Sequence, residues 1–145
     1  MAEKENIQLA EQQIAALNAR DLDGFMSCVD DSYIGHAETA PGPVRGRAGM
    51  RRYMETILGA FPDLHVEIEE VLASGNSVIV RQRWIGTHQG NFAGIAPTNK
   101  GIVMQSCNIL EIRGGKVMQS RMYSATATLF QQLGILSLPK AATAG

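Results

Sequence analysis

Few side chains in this sequence can move a proton or grip a polar group near neutral pH, and they lie far apart in the chain. His36 follows the string SYIG, and His88 sits in the turn-forming string GTHQGNF. An imidazole changes charge between about pH 5 and 8, which makes His36 the first candidate for a base and His88 the second. A histidine without a visible partner is more readily read as a structural or ligand-orienting residue. Arg121 carries a fixed fork of donors that suits a carboxylate or a developing enolate oxygen. The competing reading is an ion pair with Glu111 or Glu38. Tyr123 can donate to a carbonyl or simply pack with its hydroxyl satisfied. Gln82 and Asn108 are further neutral donors, and Trp84 supplies an apolar wall.

Metal chemistry finds little support. Cys28 and Cys107 are the only cysteines and are far apart in the chain, outside any paired ligand spacing. Asp30 and Asp31 are neighbours, which on an extended segment face apart, so they are read as ending a helix. His65 alternates with apolar residues beside two glutamates, as a solvent-facing strand position does.

These residues need a scaffold. A chain of 145 residues fits one domain, taken as 1–145 with an ordered core of about 4–138. With 45% hydrophobic and 19% charged residues, it can bury a core and keep a solvated surface. Thirteen basic against fourteen acidic residues give a net charge of -1, which argues against a broad nucleic-acid-binding face. The start MAEKENIQLAEQQ lacks the features of a signal peptide, so a cytoplasmic protein is expected. No apolar run approaches the roughly 20 residues that cross a bilayer, so no membrane partner is expected. The seven methionines read as adaptable core packing.

Along the chain, helical spacing precedes strand spacing, which predicts an α+β fold. Ile7, Ala10, Ile14 and Leu17 mark one helix stopping near Asp21, and a short second helix carries Leu22, Phe25, Met26 and Val29. DDSYIGH reads as a brief extended segment, loosened at its end by Gly35. ETAPGPVRG is a loop and a candidate lid. A third helix, with Met50, Tyr53, Met54, Ile57, Leu58 and Phe61, is stopped by Pro62. Strands follow from Leu64, over 77–88, over 101–113, and after Gly114-Gly115 over 117–125, the last three linked as hairpins. A tail with Thr126, Leu129, Phe130 and Leu133 is helical, stopped by Gly134 and followed by a frayed end. Strand alternation predicts inward sets: Val78, Val80, Gln82, Trp84 and His88; then Met104, Ser106, Asn108, Leu110 and Ile112; then Val117, Gln119, Arg121, Tyr123 and Ala125. Arg81 and Arg83 would face outward.

The strings NARDLDGFMSCVDDSYIGH, GAFPDLHVEIEEVLASGNSVIVRQRWIGTHQGNFAGIAPTNKGI, LEIRGGKV and YSATATLFQQLG, in this order, resemble the SnoaL-like polyketide cyclases, within the nuclear-transport-factor-2-like folds. The resemblance implies a cone in which a curved, mostly antiparallel sheet wraps three N-terminal helices, often as a homodimer through the outer sheet face. It implies intramolecular aldol cyclisation without metal or organic cofactor, acting on a small apolar carbonyl-containing ligand. Aldol chemistry removes a proton beside a carbonyl, so it needs a base and a donor for the enolate oxygen. The family characteristically places an acidic residue on the last strand, in strings resembling Tyr-x-Asp. This sequence reads Tyr123-Ser124-Ala125 there, so Ala125 stands in the acid position. Loss of catalysis, replacement of the acid by another group, and deliberate inactivation all fit that alanine. The expected function is therefore cofactor-free cyclisation or isomerisation of an enolisable carbonyl compound in secondary metabolism. Its rivals are a non-catalytic binding protein for an apolar metabolite and, third, an epoxide hydrolase-like enzyme.

Overall fold

The computed structural model describes residues 2–137 and residue 139. The end of the expected core at 138 and the tail expected to fray, 141–145, lie outside the described residues. Helices α1 (Ala2–Asn18) and α2 (Leu22–Met26) lead into strand β1 (Val29–Ala37) and the two-residue β2 (Val44–Arg45). Helix α3 (Gly46–Ala60), strands β3 (His65–Ser74), β4 (Ser77–Thr87), β5 (Gly101–Arg113) and β6 (Lys116–Ser124), and helix α4 (Thr126–Gln132) complete the chain. The expected α+β class holds.

The six strands form one sheet in the order β2-β1-β6-β5-β4-β3. All neighbours run antiparallel except β1 and β6, which are parallel. The sheet is curved and unclosed, with α1 packed on β3 and β4, α3 on β1 and β2, and α4 on β5. The core lies between helices and sheet, where Val78, Val80, Ile112 and Val117 are almost wholly buried. Burying a side chain of this size contributes about 1.5–3 kcal/mol.

Local chemistry sets the boundaries. Asp21 ends the connection after α1 by accepting from Gly24 N–H at 2.9 Å, which caps α2. Asn18 braces α1 against β3 through a reciprocal pair with the Val66 backbone, at 2.9 and 2.8 Å. Pro62 follows the end of α3 as predicted, and Gly75, Gly114, Gly115 and Gly134 all take positive φ at turns. DDSYIGH is longer than expected: it belongs to a nine-residue strand. Asp30 and Asp31 therefore lie in β1 and do not end α2, because Val29 already pairs with Val117 on β6. Asp30 instead accepts from Ser32 N–H and Oγ–H, at 2.9 and 2.6 Å, which lowers its pKa, the hydroxyl first.

The parity predicted for β4 and β5 is observed, with Val78, Val80, Gln82, Trp84, Met104, Ser106, Leu110 and Ile112 buried. Arg81 and Arg83 face outward and pair with Glu69, Glu70 and Glu67 of β3. On β6 the predicted parity fails. Glu111 pairs with Gln119 while its neighbour Ile112 pairs with Val117, so Met118 is an extra, bulged residue. A bulge of one residue exchanges the faces of everything beyond it. Val117 is inward as expected, but beyond it Ser120 and Met122 are buried, and Arg121 and Tyr123 are exposed.

Candidate functional site

An internal chamber lies between the helices and the sheet. Its walls include Leu17 and Ile14 of α1, Phe25 of α2, Met50, Tyr53 and Met54 of α3, and Val80, Trp84, Leu110 and Met122 of the sheet. Most of this lining is apolar, because each element turns its hydrophobic face to the same enclosed side. A polar stripe crosses the sheet wall. Tyr33 Oη and Ser120 Oγ share a hydrogen bond of 2.5 Å, with Gln82 and Asn108 on the same wall. Trp84 Nε1 donates to Ser106 Oγ at 3.0 Å, fixing the indole as part of the wall.

The two amides have spare capacity. Gln82 is 2% exposed, and its Nε2 finds only the Met122 sulfur, at 3.9 Å. Asn108 Oδ1 is buried without a hydrogen-bond partner among the described residues. A buried acceptor left unsatisfied costs about 1–3 kcal/mol, so Asn108 Oδ1 favours a ligand that brings a hydroxyl to it, and Gln82 Nε2 one that brings a carbonyl.

About 60 Å3 of the chamber admits the centre of a water molecule, far below the roughly 300–1,000 Å3 of ligand pockets. Two further spaces adjoin it. A narrow slot of about 20 Å3 runs between Trp84, Met104 and Leu129, and an open vestibule of about 1080 Å3 lies over the 38–45 loop, Arg52 and Phe130. Tyr53 lines all three spaces. Its hydroxyl bonds that of Thr39 across the junction, and burial, partly offset by this bond, raises the Tyr53 pKa. Burial raises that of Tyr33 in the same way, against the Ser120 bond. Both phenols therefore stay protonated and remain donors at neutral pH. The loop read as a candidate lid lines the vestibule over 38–45, and Thr39 also lines the slot.

The sequence candidates separate into three groups. Gln82, Trp84 and Asn108 line the chamber. His36 is exposed at the rim and borders both the chamber and an outer groove of about 470 Å3. Arg121 and Tyr123 are corrected to that outer groove, turned out by the Met118 bulge, with Tyr123 56% exposed. Neither expected mate pairs with Arg121. Glu111 holds Arg113 at 2.8 Å, Glu38 accepts from Ser124 and Thr126, and the guanidinium of Arg121 lies beside the Gln119 amide, whose oxygen, once turned toward it, accepts at 3.0 and 3.2 Å.

His88 is corrected as well. It is wholly buried, but it lies beyond the end of β4 and outside the chamber lining. Its Nδ1 accepts from Thr98 N–H at 3.2 Å, and its ring packs on Phe61 and Phe92. With backbone bonds to Lys100 and Asn99, it clamps the segment that links the antiparallel strands β4 and β5.

Ala125 is the N-cap residue of α4 and has no side chain with which to cap it. Glu38, just past β1, reaches over: its Oε1 accepts from Ser124 N–H at 3.4 Å and its Oε2 from Thr126 Oγ–H at 3.0 Å. Sequence reasoning missed Tyr33, Tyr53, Ser120 and Met122 as wall residues. The signal for Tyr33 was the glycine two residues on, at 35, which shares its face of the strand.

Comparison with known proteins places this architecture. No curated protein sequence matches the chain. Among solved structures, AclR from Streptomyces galilaeus, described as a candidate hydroxylase, superposes with a TM-score of 0.83 at 30% identity, covering 95% of this chain and 91% of that one. IdmH from Streptomyces antibioticus, a candidate polyketide cyclase, gives 0.76 at 26% identity, over 89% and 98% of the two chains. A candidate SnoaL-like polyketide cyclase from Jannaschia sp. CCS1 gives 0.84 at 17% identity, over 93% and 95%, and shows the shared fold. The profile of the SnoaL-like polyketide cyclases matches residues 7–133. With residues 7–133 of the chain covered and the cone of helices and curved sheet in place, this chain belongs to the SnoaL-like polyketide cyclase family.

Proposed function

We propose that the protein takes an enolisable, polyketide-type carbonyl compound into the vestibule and the chamber that adjoins it at Tyr53, and cyclises or isomerises it by acid/base chemistry of its side chains. The observation that carries this reading is the pair of under-used amides, Gln82 and Asn108, on an otherwise apolar wall. A ligand with a carbonyl acceptor and an enol or phenol donor matches both. The protonated hydroxyls of Tyr33 and Tyr53 add donors for an oxygen that gains charge in the transition state. Arg121 and Tyr123 take no part inside the chamber. On the outer sheet face, with exposed Val103 and Ile109, they support the expected homodimer.

Aromatic polyketide β-keto esters test the reaction. Trp84 is the only tryptophan and lines the chamber, so its emission reports occupancy. The expected outcome is a change in emission followed by a cyclised isomer of unchanged mass. Asn108→Leu should weaken binding by about 1–3 kcal/mol. A product heavier by one oxygen would point instead to chemistry like that named for the Streptomyces galilaeus relative.

The binding-protein reading has one observation in its favour: no carboxylate lines the chamber itself among the described residues. Native mass spectrometry that finds a co-purified ligand, unchanged on long incubation, would establish that reading and remove the enzymatic one.

A further inference from the structure

We infer that Glu38 supplies the carboxylate that position 125 lacks, acting as the proton acceptor of the site. This rests on the acid/base reading above. Glu38 holds the backbone N–H before Ala125 and the hydroxyl after it, at 3.4 and 3.0 Å, so its carboxylate is bound to both neighbours of position 125. It is the one carboxylate that lines the vestibule among the described residues, and it immediately precedes Thr39, which bonds Tyr53 at the junction with the chamber. The carboxylates of strands β3 and β5 are held in ion pairs instead: Glu67, Glu69 and Glu70 with arginines of β4, and Glu111 with Arg113. No ion pair among the described residues includes Glu38. The basic side chains that line the same spaces are His36 and Arg121 in the outer groove and Arg45 and Arg52 in the vestibule.

In the step this assigns, the α C–H bond of the substrate breaks and its proton passes to Glu38. The electron pair moves through the carbon to the carbonyl oxygen, where a phenol such as Tyr53 donates to the enolate. The enolate carbon then bonds to a second carbonyl of the same molecule, and the resulting alkoxide takes the proton back from Glu38. No electrons enter or leave, so the product is an isomer of the substrate.

The test is deuterium exchange at the α-carbon of 2-acetylnaphthalene in D2O, with occupancy read from Trp84 emission and folding from thermal melts. Glu38→Gln keeps an oxygen that can accept from Thr126, so a merely structural role predicts little change. The inference predicts that exchange falls by about 100-fold or more, that the acidic limb of the pH profile disappears, and that probe binding and melting stay as in wild type. Adding Ala125→Asp to Glu38→Gln should recover at least about tenfold of the loss, within the range of a positioned base. Exchange by wild type that survives Glu38→Gln overturns the role of Glu38 and leaves the acid/base reading standing. So does a loss that tracks melting, or that Ala125→Asp does not relieve. Failure of wild type to promote exchange at all overturns both.

Discussion

The contact between Tyr33 and Ser120 depends on a residue that contributes no atom to it. Tyr33 and Gly35 lie two apart on β1, and the ring folds back along the strand so that its hydroxyl reaches Ser120 at 2.5 Å. A Cβ on Gly35 would stand 2.2 Å from that hydroxyl and 2.8 Å from the ring carbon bearing it. Gly35 is therefore a steric allowance for Tyr33, where the sequence alone suggested only a loosened strand end. Gly35→Ala should displace the phenol, break the Ser120 bond and cost about 1–3 kcal/mol. Denaturant unfolding of Gly35→Ala, Tyr33→Phe and the double variant checks this. The two effects should be clearly non-additive, because both act on one contact; simple additivity would rule the account out.

Between elements, Asp63 fastens the turn after α3 to the end of β4, accepting from Thr87 N–H and Oγ–H, both at 2.7 Å. The Thr87 hydroxyl first, and its N–H second, hold the Asp63 carboxyl below its ordinary pKa. A depressed pKa means that the folded state favours the charged form. Its contribution is complete above the ordinary aspartate value of about 3.9 and is lost as pH falls through the lower folded value. Asp63 is almost fully solvated, so the effect should stay below about 1 kcal/mol. Wild type should exceed Asp63→Asn in stability at neutral pH, with the gap closing in strong acid; a gap independent of pH would contradict this.

The elements themselves were largely legible in the sequence, because Pro62, the turn glycines and the change from helical to strand period each act locally. Val29 was placed in the wrong element, since its pairing with Val117 is made across most of the chain. The chamber wall was legible on β4 and β5, where alternation runs unbroken through Gln82, Trp84 and Asn108. It was not legible on β6, where a bulge depends on pairing with β5 and leaves no mark in composition. Nor was His88, whose aromatic and Thr98 contacts form only once the chain doubles back.

For the molecule as a whole, no described helix is long and apolar enough to cross a membrane. The outer face of β5 and β6 presents Val103, Ile109 and Tyr123, exposed by 43%, 36% and 56%. A second copy of this chain is the expected partner for that face. Light scattering coupled to gel filtration should give about twice the 15.7 kDa of one chain, and Ile109→Glu should halve the mass without altering occupancy of the chamber. A wild-type monomer at micromolar concentration would remove the homodimer from the proposed function.

Met118 gives the last strand a phase. Upstream of it the alternation is in step with the neighbouring strands, and downstream everything is offset by half a period. The same few letters, Ser120-Arg121-Met122-Tyr123, thus offer two alternative inventories: a hydroxyl and a thioether on one side, a cation and a phenol on the other. Which inventory meets the ligand is settled by one residue of length, with no change in the letters themselves. Inserting or deleting a single residue near position 118 would exchange the two sets at a stroke, so members of such a fold can diverge in what they recognise through spacing alone.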